Sequence, residues 1–273
     1  MKLGLFFNAK IFYNIHYAVL GERYLKDNEL LFLGSGAADW TYNARLYKLY
    51  FRRNCALLLN GNLLIDCGPH IYDFADKNGM THLYDNVTHV LISHGHPDHF
   101  NIENIEKLPR NITVGCEDSI YLKIRHLPLS HIDLPLHTAV KFGDYTVTSV
   151  LANHGSTYNF IIETGDGKKI FYGLDSGPFI SSTWEELKKH KFDIMILDCT
   201  EGKMPNTEGF GHNSVDMVEK QIREIKENGM LTENGIIVAS HFSRKSMPGP
   251  KKTEKIVREI GAVAAYDGMK INF

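Results

Sequence analysis

Three histidines and an aspartate are concentrated within six consecutive positions: His94-Gly95-His96-Pro97-Asp98-His99. They follow an apolar run, residues 88–92, which is typical of a buried strand. Imidazole and carboxylate groups are ligands of first-row metals, and imidazole nitrogen suits zinc in particular. Neighbouring side chains diverge, so two adjacent ions could share this loop better than one ion could use all of it. The alternative is a polar loop of solvated histidines at the end of a strand.

Three further ligand candidates each follow an apolar run. His154 comes after residues 147–152, Asp175 after residues 170–174, and His241 after residues 236–239. Polar side chains at strand ends lie on a rigid scaffold, where functional sites are often found. Each histidine alone is more readily explained as a structural residue, but together with the first loop they predict one site.

Alternating and continuous apolar runs predict the elements that must position these side chains. The predicted strands are 29–33, 55–59, 62–66, 88–92, 112–114, 139–142, 145–151, 158–163, 169–173, 192–197 and 236–240, with two short strands at the C-terminus. The predicted helices are 70–77, 102–108, 117–125, 182–190, 213–228 and 251–260. Because strands dominate both halves and each half contributes helices, we expect two stacked sheets with helices outside, in one domain.

Local signals support several of these elements. Asn60-Gly61 is a strong signal for a two-residue hairpin turn. The apolar stripe of helix 213–228 is preceded by Asn213 and Ser214, either of which could cap it, and Gly229 is expected to end it. Three other histidines lie in a Pro-containing loop and are expected mainly at the surface, the alternative being the mouth of a site: His126, His131 and His137.

The composition favours a globular protein with a buried core over a disordered or a membrane-spanning one. Of the 273 residues, 43% are hydrophobic and 23% are charged, so a large buried core is expected. The net charge is only −2, so we expect no strong attraction to nucleic acid or anionic lipid. The four cysteines form no CxxC pair and are read as thiols of a reducing compartment, which predicts a cytoplasmic protein. Polar residues interrupt the apolar N-terminus, so no membrane span is expected. We assign residues 1–28 to an N-terminal extension and 29–273 to the folded domain.

With this ordered set of ligand candidates, the chain resembles the metallo-β-lactamase fold superfamily from about Leu30 to Phe273, including Leu64-Ile65-Asp66-Cys67-Gly68. The resemblance implies an α/β (α+β) fold, a four-layer αββα sandwich, with two divalent metals at the edge of the sheets. Zn²⁺ is expected, with Mn²⁺ as the alternative. By resemblance, the first metal is held by His94, His96 and His154, the second by Asp98, His99 and His241, and Asp175 bridges them. Asp66 is expected to accept hydrogen bonds behind the ligands.

Further segments resemble the tRNase Z and cyclic phosphodiesterase branch: Asp198-Cys199-Thr200, Gly211-His212-Asn213-Ser214 and Ser240-His241-Phe242-Ser243-Arg244. In that branch an acidic residue at the Asp198 position orients a histidine at the His212 position, which acts as general acid. The alternatives are a strand-end carboxylate and a polar residue before a helix. Only 20 residues separate His154 from Asp175, so a tRNA-binding arm is not expected.

The phosphoribosyl cyclic phosphodiesterases of this branch share residues 34–36, 52–55, 64–66 and 197–199 with the chain. They commonly hold a structural zinc through a cysteine cluster and a later histidine. This chain has no cysteine between Gly36 and Asn54, and Arg244 stands where the histidine would be. The structural zinc is therefore not expected.

The function predicted from this resemblance is hydrolysis of a small, cyclic phosphodiester by a metal-activated hydroxide. Asp98, His212 and Asp198 are the predicted catalytic residues, with His212 protonating the leaving alkoxide. Arg244 and Lys245, followed by Lys251 and Lys252, are candidates for phosphate binding, the alternative being a solvated loop. Rival functions are a lactonase or other carbonyl hydrolase, an iron-dependent oxygenase, and a non-catalytic or cofactor-biosynthesis protein of the PQQ-associated type. The sequence leaves open the natural substrate and whether the chain forms a homodimer.

Overall fold

The structure is a computed structural model that describes residues 28–41, 50–206 and 209–273. The predicted N-terminal extension lies outside these residues except for Asn28, and residues 42–49 also lie outside them. The described strands are β1 Glu29–Gly34, β2 Ala56–Leu59, β3 Leu63–Ile65, β4 His89–Leu91, β5 Thr113–Gly115, β6 Ser130–Ile132, β7 Ala139–Phe142, β8 Tyr145–Leu151, β9 Tyr158–Glu163, β10 Lys169–Gly173, β11 Phe192–Asp198, β12 Leu231–Ser240, β13 Val263–Ala264 and β14 Lys270–Asn272. The described helices are α1 Ile71–Lys77, α2 Ile102–Glu106, α3 Asp118–Ile124, α4 Ser181–Leu187, α5 Val215–Glu227 and α6 Pro250–Glu259.

These strands form two sheets of seven strands each, in the orders β14-β1-β2-β3-β4-β5-β6 and β13-β12-β11-β10-β9-β8-β7. In the first sheet, β3, β4, β5 and β6 are parallel neighbours. In the second sheet, β10, β11, β12 and β13 are parallel neighbours, while β7 to β10 are joined antiparallel. Parallel neighbours bring their carboxyl ends to the same edge of a sheet, and this edge carries the site described below.

Three apolar layers hold the fold together. The facing sides of the two sheets bury a central layer that includes Phe32, Phe160 and Tyr172, all 0% exposed. Helices α1, α2 and α3 cover the outer side of the first sheet, and α4, α5 and α6 cover that of the second. The order of layers is therefore α, β, β, α, which confirms the predicted four-layer sandwich.

The hairpin is confirmed, since β2 and β3 pair antiparallel around Asn60 and Gly61, whose φ angles are 52° and 73°, but the two-residue turn is wrong: Leu59 pairs with Leu63, so the connection also includes Asn62. Positive φ at both central residues is the conformation that favours Asn-Gly. Gly229, with a φ of 60°, follows the end of α5 as predicted. Ser214 is the residue before α5, but neither it nor Asn213 caps the helix with its side chain: Ser214 makes no such bond, and Asn213 instead binds Ser176 O and Gln221.

Two predictions about strands were wrong. His131 lies on the short strand β6 rather than in a loop, because Ser130 to Ile132 pair with β5 at the sheet edge. Strand β12 begins at Leu231, five residues before the predicted start at Ile236. At Gly235 the carbonyl oxygen of Phe192 lies 2.5 Å from where a Cβ atom would be, so the backbones of β11 and β12 approach closely there. All four cysteines are buried and free, and no described helix is both long and apolar enough to cross a bilayer.

Candidate metal centre

The seven candidate ligands meet at the edge where the two sheets present their carboxyl ends. The loop from His94 to His99 follows β4 of the first sheet. In the second sheet, His154 follows β8, Asp175 follows β10 and His241 follows β12. The site therefore draws on both sheets, and residues more than 140 positions apart come within hydrogen-bonding distance.

The first group of candidate ligands comprises His94, His96, His154 and Asp175, whose donor atoms all lie within 4.8 Å of one another. His94 Nε2 is 2.9 Å from Asp175 Oδ2, and His96 Nδ1 is 3.3 Å from His154 Nε2. His154 Nε2 is 3.8 Å from the same Asp175 oxygen. This group is the one that the resemblance implies for a first metal.

The second group comprises Asp98, His99, Asp175 and His241, again with donor atoms within 4.8 Å of one another. The Nε2 atoms of His99 and His241 are 3.1 Å apart, and each is 3.4 Å from Asp98 Oδ2. Asp175 turns Oδ1 toward His241 Nε2 at 2.9 Å, while its Oδ2 faces His94. Asp175 thus belongs to both groups, one oxygen toward each.

These residues fit a pair of metal ions. Ligand nitrogens around one tetrahedral zinc are separated by about 3.3–3.4 Å, given Zn–N distances of about 2.0–2.1 Å. Distances of 3.1–3.4 Å recur within the second group. Three buried atoms of the site form no well-aligned hydrogen bond with a described residue, although two of them have a neighbour at 2.9 Å: His94 Nε2, Asp98 Oδ2 and Asp175 Oδ1. Buried polar atoms are normally paired, so this arrangement is what a set of ligand atoms requires.

Three residues that end strands at this edge adopt left-handed backbone conformations: Asp66 with a φ of 60°, Asp175 with 46° and His241 with 59°. Such conformations are uncommon for residues other than glycine and are concentrated at functional sites. They turn each side chain sharply out of its strand, which is how short loops bring these groups together.

Asp66 accepts hydrogen bonds behind the candidate ligands, as expected. It is 0% exposed, and its carboxylate accepts from Ser93 N and Oγ at 2.8 and 2.9 Å, from His99 Nδ1 at 2.6 Å and from Tyr172 Oη at 2.6 Å. A carboxylate on the far nitrogen of a histidine fixes its tautomer and directs Nε2 into the site.

Other supporting residues were missed in the sequence. Thr200 Oγ1 lies 2.7 Å from His241 Nδ1, so it orients that ring. Asn153 links three loops: its main chain accepts from Gly211 N at 2.9 Å, and its side chain donates to Gly209 O and Pro178 O. Asn153 precedes His154 and Thr200 follows Asp198 by two positions, so proximity to a candidate residue was a usable signal. The sequence carried no such signal for Tyr172, because it lies within a strand and is not adjacent to a candidate residue.

Comparisons with known proteins identify the family of the chain. Residues 61–232 match the family model described as the beta-lactamase superfamily domain. The chain belongs to the beta-lactamase superfamily. A UPF0173 metal-dependent hydrolase of Chelativorans sp. (strain BNC1) is 32% identical over 124 residues, 44% of this chain and 51% of that protein. The chain spans about half the length of the curated relatives it matches.

Solved structures of superfamily members show the same fold. Zn²⁺-bound PqqB from Methylobacterium extorquens has a TM-score of 0.70 at 15% identity, covering 90% of this chain and 100% of that one. A diphosphatase from the PhnP family has a TM-score of 0.68 at 17% identity, covering 90% and 97%. At these identities the likeness concerns the fold, so chemistry within the superfamily depends on the site itself.

Beside the two groups, this superfamily member has a buried carboxylate paired with a histidine. Asp198 is 0% exposed; its Oδ1 accepts from the backbone nitrogens of Thr200 and Asn213, and its Oδ2 lies 3.0 Å from His212 Nδ1. His212 also belongs to a third possible metal group with Asp175, Asp198 and His241. Because Nδ1 of His212 is engaged by Asp198, the ring is held with Nε2 as its free nitrogen.

The charges of the site are strongly coupled. Burial would raise the pKa of the Asp175 carboxyl, but His241 and His99 hold that pKa well below its usual range. Burial likewise disfavours charge on His212, yet the Asp198 carboxylate raises the pKa of the imidazole above its ordinary value. His154 behaves oppositely, since burial outweighs Asp175 and lowers its pKa. A positive charge is therefore more favourable on His212 than on His154.

A cavity of about 400 Å³ opens beside the first group, and His94, His96 and His154 line it. Its other lining residues are Gly95, Glu117, Ser119, Ile120, Lys123, Gly155, Ser156, Thr157 and Phe210. Arg244 and Lys245, the predicted phosphate-binding residues, are not among them. Arg244 instead follows His241 in a loop anchored by a hydrogen bond from its backbone nitrogen to Asp39 Oδ1, at 2.9 Å. None of His126, His131 and His137 lines this cavity.

Proposed function

We propose that this protein is a metal-dependent hydrolase that cleaves a small phosphodiester. The hydrolase part is supported by the curated relatives named metal-dependent hydrolases, which match over about half their length. The observation that carries the phosphodiester part is the His212–Asp198 pair beside Asp175 and His241. A poor leaving group such as an alkoxide needs a proton donor, whereas a strained lactone has little need of one.

Two divalent ions, Zn²⁺ in our proposal, would be held by the two groups described above. His94, His96 and His154 would bind one, Asp98, His99 and His241 the other, and Asp175 both. When bound, such ions supply Lewis-acid activation of water and of phosphoryl oxygens. Asp66 and Thr200 hold the rings of His99 and His241 in the orientation that this binding needs.

His212 would deliver the proton to the leaving oxygen. Asp198 holds Nδ1, so Nε2 is the atom that carries the transferable proton. Asp198 itself is fixed by the backbone nitrogens of Thr200 and Asn213, which keeps the pair in place. A positioned general acid of this kind contributes about two to four decades of rate.

A substrate screen tests the proposed reaction. The metal-loaded protein should hydrolyse bis(p-nitrophenyl) phosphate and either cyclic nucleotides or ribose cyclic phosphates, while a panel of lactones should be turned over poorly. Removal of metal with a chelator should abolish the activity, and added Zn²⁺ or Mn²⁺ should restore it. Rapid turnover of lactones with no phosphodiester hydrolysis would establish the carbonyl-hydrolase alternative instead.

Metal stoichiometry is a separate expectation. Seven ligands are too many for one tetrahedral ion, so purified and reconstituted protein should contain about two equivalents by elemental analysis. His126 is exposed and is not a candidate ligand, so a His126→Ala variant should contain the same number of metal equivalents and serves as the matched control. Saturation at one equivalent would refute the binuclear proposal. A third tightly held equivalent would contradict the proposed lack of a structural zinc.

A further inference from the structure

Phe210 is an exposed aromatic residue at the mouth of the candidate site. Its side chain is 57% exposed and lines the cavity beside His94, His96 and His154. It lies between Gly209 and Gly211, whose φ angles of 63° and 83° favour glycine. Single exposed apolar residues are common on protein surfaces, so the exposure of Phe210 gains meaning from its place in the lining of this cavity beside three candidate ligands.

Hydrogen bonds hold this aromatic segment in place. Asn153 donates to Gly209 O at 2.8 Å and accepts from Gly211 N at 2.9 Å, and Asn206 donates to Phe210 O at 3.0 Å. Gly177 packs directly underneath, since a Cβ atom there would lie 3.2 Å from the backbone of Phe210 and Gly211. The ring is therefore presented by a constrained backbone, which lowers the entropic cost of binding a ligand against it.

Lys123 brings a positive charge to the same cavity from helix α3. Its Nζ would lie 3.3 Å from a Cβ atom on Gly95, and it is 5.9 Å from the centre of the Phe100 ring. It forms no ion pair with any residue that the structure describes, while Glu117, on the same rim, accepts a hydrogen bond from Ser119 at 2.6 Å. The ammonium group is thus available to an anion.

Lys123 and Phe210 lie on opposite sides of the pair formed by His96 and His154. Lys123 lies next to Gly95, the neighbour of His96, whereas Phe210 is joined through Gly211 to His154, whose Nδ1 donates to Gly211 O at 2.9 Å. His96 and His154 are themselves 3.3 Å apart. Ser156, which is exposed, adds a hydroxyl group to the lining. A volume of about 400 Å³ is within the usual range for small-molecule sites.

We propose that Phe210 and Lys123 form a specificity subsite for a nucleoside phosphate. The planar base would stack on Phe210, Ser156 would face the sugar, and Lys123 would bind phosphate oxygens. This inference rests on the proposed function, because it names the substrate class of the same site: a phosphodiester that carries a nucleobase. Stacking of a base on an aromatic side chain corresponds to a change of roughly 5- to 150-fold on alanine substitution.

Direct binding tests the subsite without any turnover. We would measure calorimetrically the Kd values of adenosine 5′-monophosphate and methyl β-ribofuranoside 5-phosphate, in which a methoxy group replaces the base. The wild-type protein should bind the nucleotide at least about tenfold more tightly. Phe210→Ala should remove this preference, Phe210→Trp should restore it, and Leu122→Ala should not affect it. Leu122 is a suitable control because it is 58% exposed, adjacent to Lys123 in sequence and absent from the lining.

Lys123→Gln should raise the Kd values of both ligands by the same factor, roughly two- to fivefold, and reduce the salt dependence of binding. Equal wild-type affinity for the two ligands, or equal weakening of both by Phe210→Ala, would overturn the aromatic part of the proposal. Unchanged affinity and salt dependence in Lys123→Gln would overturn the anionic part.

Kinetics separate this proposal from the proposed function. The values of kcat/KM for 2′,3′-cyclic adenosine monophosphate and for methyl riboside 2,3-cyclic phosphate should differ in the wild type and converge in Phe210→Ala. If neither compound nor any other phosphodiester is hydrolysed, the proposed function is wrong, and the binding comparison alone decides the subsite. If both are hydrolysed at equal kcat/KM and bound equally, the function stands and the subsite is wrong.

Discussion

His212→Ala is expected to slow hydrolysis of an alkyl phosphodiester, such as a ribose cyclic phosphate, by about two or more decades in kcat. Its metal content should stay unchanged, because Nδ1 of His212 is engaged by Asp198 and we assign the ring no metal. With p-nitrophenolate as leaving group the loss should be much smaller, since that group needs little protonation. Parallel measurement of kcat on both substrates, with elemental analysis of the variant, makes the comparison.

Asp198→Asn should show the same leaving-group pattern more weakly. Oδ1 of Asp198 accepts from two backbone nitrogens, so the amide oxygen of asparagine would take that position and its nitrogen would face His212. This disturbs the orientation of His212 without removing the ring, so the loss should be smaller than in His212→Ala. His137→Ala, at a histidine outside the cavity, is the control. Equal losses on both substrates would assign His212 a role in positioning substrate, and loss of a metal would make it a ligand.

Asp175→Ala should lose more metal than any other single ligand substitution. One oxygen of Asp175 lies 2.9 Å from His94 Nε2 and the other 2.9 Å from His241 Nε2, so the carboxylate can serve both ions and offset their mutual repulsion. Loss of an outer hydrogen-bond partner typically costs 10–100-fold in metal affinity, so loss of a bridging ligand should cost more than about 100-fold. Metal titration of apo-protein gives this affinity.

His241→Ala should weaken the binding of the ion assigned to the second group and leave binding at the first group unchanged. Asp133→Ala, which removes an exposed carboxylate, should change the affinity for neither ion. The bridging assignment fails if Asp175→Ala retains both metals while His241→Ala loses them. Activity on bis(p-nitrophenyl) phosphate should follow metal content in all three variants, because the proposed reaction depends on bound metal.

Much of the fold could be predicted because its signals are local. Apolar runs and turn residues located nearly every element, and strands β7 to β10 begin and end where the sequence predicted. The candidate ligands were found because each stands where an apolar run ends. The order of strands within the sheets was not predicted, since pairing joins segments far apart in the chain and leaves no local mark.

The supporting residues were harder to predict for the same reason. Tyr172 reaches Asp66 across 106 positions of sequence, and Thr200 reaches His241 across 41. Lys123 and Phe210 meet the cavity only because α3 and the segment before α5 lie at the same edge. Arg244 and Lys245 follow His241 closely in sequence, yet they do not line this cavity, and their loop is bonded to Asp39 through Ser243 and Arg244.

The hydrogen bond from Tyr172 to Asp66 joins the two sheets, because Tyr172 belongs to β10 and Asp66 follows β3. Both groups are 0% exposed, so their hydrogen bond is made where water cannot replace it. A displacement of one sheet by one side-chain repeat, about 6–7 Å, would leave the buried Tyr172 hydroxyl without its acceptor at a cost of about 1–3 kcal/mol, while Asp66 would keep its bonds from Ser93 and His99. A second bond, from Tyr145 Oη on β8 to Asn62 Oδ1 beside β3, joins the same two sheets. Together the two bonds favour the offset at which the strand ends of both sheets face each other, and the distances among the seven candidate ligands depend on that offset.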